Sequence, residues 1–151
     1  MLSKKTKYGL QAVIYLTKKY EKGPVLISEL AKKERIPQKF LEAILLELKN
    51  HGILQSKKGK GGGYYIGKPP SEITMGQVIR ILEGPLAPVS CVSQTAYQRC
   101  EECRDESCCG IRIVMKDVRD AIANILDKTT MADVIKRADS KVENQVLNFQ
   151  I

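Results

Sequence analysis

Apolar residues return every three or four positions over residues 4–20, where Tyr8, Ala12, Tyr15 and Leu16 share one face and Ser3 stands at the N-cap position. That spacing predicts a first helix, stopped by Gly23-Pro24. A shorter second helix is expected over 28–34, with Ser28 as its cap and Leu30 and Ala31 turned inward. Pro37 fits the first turn of a third helix running to about Lys49, striped by Phe40, Leu41, Ile44, Leu45 and Leu48. Gly52 follows as a left-handed C-terminal cap. The period then changes: residues 53–58 and 64–66 read as two short strands around the glycine turn 59–63, a β-hairpin.

In the second half, Thr74-Met75-Gly76-Gln77 has the form of a capping box, opening a helix that Gly84-Pro85 ends. Residues 85–110 show no period. The longest helix is expected from Ile111 to about Asp127, where Ile111, Val114, Met115, Val118, Ile122, Ile125 and Leu126 form a heptad-like seam suited to another helix. Thr130 with Asp133 caps a last short helix to about Ala138, and the polar tail from Asp139 is expected to be loosely held.

Three helices followed by a glycine-tipped hairpin is the order of a winged helix-turn-helix. The expected fold is therefore mostly α (α+β), with a DNA-binding domain over 1–70, a dimerisation and cysteine-loop region over 71–138, and a tail over 139–151.

Charge strengthens that reading. The 151 residues carry a net charge of +8. Residues 1–70 hold 15 Lys+Arg against 5 Asp+Glu, a net of +10, whereas residues 71–151 hold 10 against 12, a net of −2. All the positive excess lies in the half that carries the hairpin, as a polyanion-binding unit requires. Gln38 and Lys39 would project from the start of the recognition helix, and Glu42, one turn on, could accept from a cytosine amino group. Lys57, Lys58 and Lys60 on the wing, with Lys4, Lys5 and Lys7 on the first helix, are candidate phosphate contacts. Lys58, beside the glycine turn, is placed for a narrow minor groove. One of Tyr64 and Tyr65 is expected to pack beneath the wing. No run of about 18 apolar residues is present, and the basic N-terminus leads into an amphipathic segment, so a cytoplasmic protein with no membrane span is expected. The single histidine, His51, ends the third helix and suits a capping role. No nucleophile–base arrangement can be built around it, so an enzyme is not expected.

All five cysteines fall within 19 residues, spaced Cys91-x8-Cys100-x2-Cys103-x4-Cys108-Cys109. An odd number so crowded argues against a disulfide framework and for metal or redox chemistry. Thiolates at these spacings suit a soft centre, an iron–sulfur cluster or zinc, and a metal-free thiol switch is the third reading.

Lys7-Tyr8-Gly9-Leu10, the Gly61-Gly62-Gly63-Tyr64 wing, Ile79 with the Ile81-Leu82-Glu83-Gly84-Pro85 helix end, and Thr129-Thr130-Met131-Ala132-Asp133-Val134 together resemble the IscR/NsrR/CymR-type winged-helix regulators, the Rrf-two family. The resemblance covers residues 1 to about 138. It implies a homodimer crossing through the long helix, a palindromic double-stranded DNA site, and a loop able to hold a [2Fe–2S] or [4Fe–4S] cluster. Aligning the long helix places Cys91, Cys103 and Cys109 on the family's three cysteines. The histidine ligand of the IscR branch becomes Arg112 and the aspartate ligand of the NsrR branch becomes Lys7, neither a ligand, so Cys100 is the implied fourth, with Cys108 the alternate to Cys109. Glu42 matches the family's base-contacting glutamate, although Ala43 replaces the glutamine after it, and Lys58 stands where IscR has its minor-groove arginine. The expected function is a dimeric transcriptional regulator sensing through an iron–sulfur cluster. The alternatives are a zinc- or thiol-based redox regulator and a scaffold that regulates a partner enzyme by binding it.

Overall fold

The computed structural model describes residues 2–150. Helix α1 spans Lys4–Lys18, α2 Ile27–Glu34 and α3 Gln38–Asn50; strands β1 (Leu54–Lys57) and β2 (Gly63–Ile66) follow. Helix α4 spans Met75–Leu82, α5 Gly110–Lys128 and α6 Met131–Phe149, with single 3-10 turns at Pro70–Glu72, Ser90–Val92 and Glu106–Cys108. The helix starts follow their caps. Ser3 accepts from the Thr6 N–H, and complete capping boxes stand at Thr74/Gln77 and Thr130/Asp133. The hairpin is antiparallel, with Leu54 opposite Ile66 and Lys57 opposite Gly63. A bridge between Val25 and Tyr64 adds a third chain segment to the edge of the hairpin, so the segment before α2 is tied to the wing. Tyr64 packs against the core, while the Tyr65 hydroxyl donates to Gln55.

The core lies where α1, α3 and the wing meet. Leu16, Leu30, Leu41, Ile44, Leu45, Leu48, Ile53 and Leu54 are wholly buried. It continues past Pro69-Pro70 without a break: Ile73, Val78, Ile79, Leu82 and Met131 belong to the same cluster. A bridge from Thr74 to Thr130, with Met131 N–H donating to Ile73 and Met75 N–H to Thr129, pins the starts of α4 and α6 side by side. Gly9 lets α4 approach α1, since a Cβ there would collide with Leu82.

Four expectations change. Helix α1 ends at Lys18, before the Gly23-Pro24 stop. Helix α2 begins at Ile27, with Leu26 and not Ser28 at the N-cap, because the Val25 bridge has already fixed the backbone there. Phe40 is 39% exposed and meets Tyr8 edge-on at 5.7 Å between ring centroids, outside the buried stripe. The last helix does not stop at Ala138. It runs to Phe149, since 139–149 contains no glycine or proline and its backbone has no competing partner.

Candidate nucleic-acid interface and cysteine loop

Burial of Leu41, Ile44, Leu45 and Leu48 fixes the rotation of α3. Gln38, Lys39 and Glu42 consequently face solvent, as do Lys57, Lys58 and Lys60 on the wing and Lys4 and Lys7 on the first turns of α1. One open groove of about 490 Å³ brings Gln38 together with Lys57 and Lys58, and Lys49, Ser28 and Ser56 line it too. Sequence alone does not place those last three at the interface: Lys49 reads only as a cation in the last turn of α3, and Ser28 reads as a helix cap. Lys39, Glu42, Lys60, Lys4 and Lys7 do not line this groove. Lys5 pairs with Glu47 of α3 at 2.6 Å and so ties α1 to α3. His51 is the C-cap residue of α3, its Nδ1 lying 2.9 Å from the Glu47 carbonyl.

The cysteine loop folds as three short turns. Cys91 sits in the Ser90–Val92 turn, where the Arg119 guanidinium on α5 donates to the Val92 carbonyl at 2.5 Å. The Cys103 N–H donates to the Cys100 carbonyl at 3.2 Å, closing a Cys-x2-Cys turn that Arg99 braces through the Cys103 carbonyl. Cys108 ends the Glu106–Cys108 turn, and Cys109 is the N-cap residue of α5, without a side-chain cap bond. The Tyr97 hydroxyl donates to Glu106 at 2.5 Å, and that bond holds its pKa above the ordinary phenol value. All five cysteines are free, with Cys100 and Cys108 exposed. Burial, then the neighbouring Cys109, pushes the Cys103 thiol above its usual pKa. Among the described residues no three His, Cys, Asp or Glu side chains converge as a metal site. Cys91, Cys100, Cys103 and Cys109 therefore share a loop without sharing a centre in this conformation. Five soft thiols still match an iron–sulfur or zinc donor set in kind. Arg112, one turn into α5, keeps its Nε buried with no hydrogen-bond partner among the described residues.

Helix α5 is joined to α4 by a bidentate pair, Arg80 to Asp127 at 2.5 and 2.9 Å. The bond holds the Asp127 carboxyl below the usual carboxylate range. Gly76 makes it possible, since a Cβ there would strike the Asp127 carboxylate.

The Rrf2 family, described as an iron-dependent transcriptional regulator, matches residues 2–137. The chain belongs to the Rrf2 family. Within it, the chain is similar to an rrf2-like HTH-type transcriptional regulator of Rhodobacter capsulatus, 35% identical over 138 residues, covering 89% of this chain and 92% of the relative. In structure it is similar to CymR of B. subtilis, titled the global cysteine regulator, with a TM-score of 0.76 at 33% identity, covering 91% of this chain and 97% of that one. T. potens IscR superposes with a TM-score of 0.73 at 28% identity, covering 91% and 88%. This Rrf2-family chain is thus a winged-helix transcriptional regulator and not an enzyme, and no helix among its described residues is long and apolar enough to cross a membrane. The family match stops at residue 137, while α6 continues to Phe149.

Proposed function

We propose that this Rrf2-family regulator works as a homodimer on palindromic DNA and senses through an iron–sulfur cluster carried by its cysteine loop. The observation that carries the DNA reading is the groove joining Gln38, at the start of α3, to Lys57 and Lys58 of the wing. In that reading Gln38, Lys39 and Glu42 meet base edges, and Lys4, Lys7, Lys57, Lys58 and Lys60 meet phosphate. The dimer reading rests on α5. None of its residues is buried; Ile111, Val114 and Ile125, on one face, are each more than half exposed, and Val118 on that face is 38% exposed. An apolar strip of that size on a helix about 28 Å long calls for a partner, and a second copy is the partner proposed.

The proposed ligands are Cys91, Cys100, Cys103 and Cys109, with Cys108 the alternate. When bound, a cluster supplies a centre whose oxidation and ligation respond to iron–sulfur status, nitric oxide or oxidants. The chain's own residues provide the connection to DNA. Cys109 is the N-cap of α5, Arg119 fixes the Cys91 turn to the same helix, and Asp127 at its far end holds α4 through Arg80. A change in the loop thereby reaches α5, and with it the spacing of two recognition helices that must match half-sites one turn apart, ~34–36 Å. A metal-free thiol switch is the second reading, favoured by five free cysteines of which Cys100 and Cys108 are exposed; zinc on the same thiolates is the remaining alternative.

Anaerobic purification with an absorption spectrum and iron and sulfide assays tests the cluster. The expected result is a coloured protein with matching iron and acid-labile sulfide. Colourless protein carrying stoichiometric zinc, or no metal, would overturn it and leave the DNA-binding assignment intact.

A further inference from the structure

Only Glu21 (φ 62°) and Arg35 (φ 55°) adopt positive φ without being glycine among the described residues. Arg35 ends α2 in the left-handed conformation, φ 55° and ψ 44°, its N–H donating to the Ala31 carbonyl. Ile36 N–H donates to the same carbonyl at 3.0 Å, and the Ile36 side chain is buried, so the turn between α2 and α3 is firmly held. Glycine or asparagine would take this conformation with less strain. A long cationic side chain gains nothing from the backbone there, which points to a use for the guanidinium.

Its surroundings say what that use is. The Arg35 residue is exposed, and its guanidinium makes no hydrogen bond or ion pair among the described residues. It lines an open groove of about 600 Å³ with Lys32, Lys33, Ser28 and Glu29, and the Glu29 carboxylate accepts from Tyr15. Lys32 and Lys33 are also exposed and without ion pairs among the described residues. Lys32 and Lys33 in the last turn of α2 and Arg35 just after it thus place three cations ahead of the exposed Gln38-Lys39 start of α3, against the one Glu29 carboxylate in the groove. At Glu21 the same backbone conformation presents a carboxylate, which DNA would repel; place and charge distinguish Arg35.

We propose that Arg35 is a DNA-backbone clamp, its guanidinium gripping a phosphate at the lip of the major groove and setting the depth at which α3 enters. In a helix-turn-helix the helix before the recognition helix crosses the backbone, so the intervening turn lies at that lip. A planar guanidinium binds a phosphate through two parallel N–H bonds, which a lysine cannot reproduce. The inference rests on the DNA-binding reading and extends it to a residue outside the α3 and wing set.

The test compares full-length wild type with Arg35→Asn, Arg35→Lys and Lys141→Asn, the last removing one charge from the exposed far part of α6. The probe is a mixed-sequence duplex of about 30 base pairs, read by fluorescence polarisation from roughly 50 to 200 mM KCl. Arg35→Asn is expected to melt at the wild-type temperature or above, because asparagine suits the backbone, yet to bind about tenfold more weakly with a salt slope shallower by ~0.9. Arg35→Lys should keep most of the slope and lose affinity; Lys141→Asn should change neither. Unchanged affinity and slope in Arg35→Asn would overturn the clamp while leaving DNA binding standing, as would a fall in binding that only tracks a lowered melting temperature. Absence of salt-sensitive binding by wild type would overturn both.

Discussion

Gly63 shows how a single position decides the shape of the interface. Its φ of 146° is open in practice to glycine alone, and a Cβ would run into the Val25 carbonyl. Gly63→Ala should therefore break the Val25–Tyr64 bridge that braces the wing, lowering stability by about 2 kcal/mol in a denaturant titration. DNA affinity should fall with it. Glu83 acts at a comparable scale. Its carboxylate accepts from the Thr6 hydroxyl at 2.5 Å and from the Ser3 hydroxyl and N–H at 2.7 and 2.9 Å. Those bonds, Thr6 first, lower its pKa from 4.5 to about 2. A depressed carboxylate stabilises the fold fully above its unfolded pKa, and the contribution fades as pH falls from about 4.5 towards about 2. Glu83→Gln should flatten the pH dependence of the melting temperature across that window and leave neutral-pH DNA affinity close to wild type. The solvent exposure of the wing lysines and of Gln38, Lys39 and Glu42 is legible in the sequence, because helical period and charge point the same way. The groove positions of Lys49 and Arg35 are not, since a cation's location in a groove depends on the path of the chain around it.

Elements announced themselves best where a cap and a period coincided, as at Thr74/Gln77 and Thr130/Asp133, whose boxes form as the spacing required. Helix α6 is the instructive miss. Lys136, Arg137, Asp139, Ser140 and Lys141 hide an apolar recurrence, Val142, Val146 and Phe149, so the run reads as a loose polar tail although nothing in it breaks a helix. The structure also shows that residues 136–150 are exposed throughout. The anchor is at the opposite end, where Met131 is wholly buried and its N–H pairs with Ile73. Truncation after Ala138 should thus reduce the far-ultraviolet helical signal while shifting the main unfolding transition by no more than about 0.5 kcal/mol. A large drop in that transition would mean that the extension is packed against something in solution.

At the scale of the whole molecule, side-chain ties join the helices in series. Asp127 bonds Arg80 between α5 and α4, Glu83 bonds Ser3 and Thr6 between α4 and α1, and Lys5 pairs with Glu47 between α1 and α3. Each tie is partly exposed and worth little to stability alone, under about 1 kcal/mol for the ion pairs. In series they connect the helix that begins at Cys109 to the helix that carries Gln38. The charge division at residue 70 was legible from counting, yet the core crosses that point through Ile73, Ile79 and Met131, so the two regions share one packed core. The periodicity alone does not name the occupant of the α5 face, because a seam read from one chain fits any apolar helix; the second copy comes from the family resemblance. A groove of about 680 Å³ between α4 and α5, lined by Met75, Ile79, Leu86, Val118, Ile122 and Leu126, leaves room for a second helix beside that face. Ile125, 61% exposed and outside the intrachain core, is the position at which a charge tests this cleanly. Ile125→Asp would bury an unpaired carboxylate in a dimer and cost nothing in a monomer. Sedimentation velocity is expected to give a dimer for wild type and a folded monomer for the variant. On a duplex with two half-sites the variant should lose the gain in affinity that comes from joining two readers, while retaining salt-sensitive binding to a single half-site. A variant that stays dimeric would place the interface elsewhere, and the proposed control of half-site spacing through α5 would fall with it.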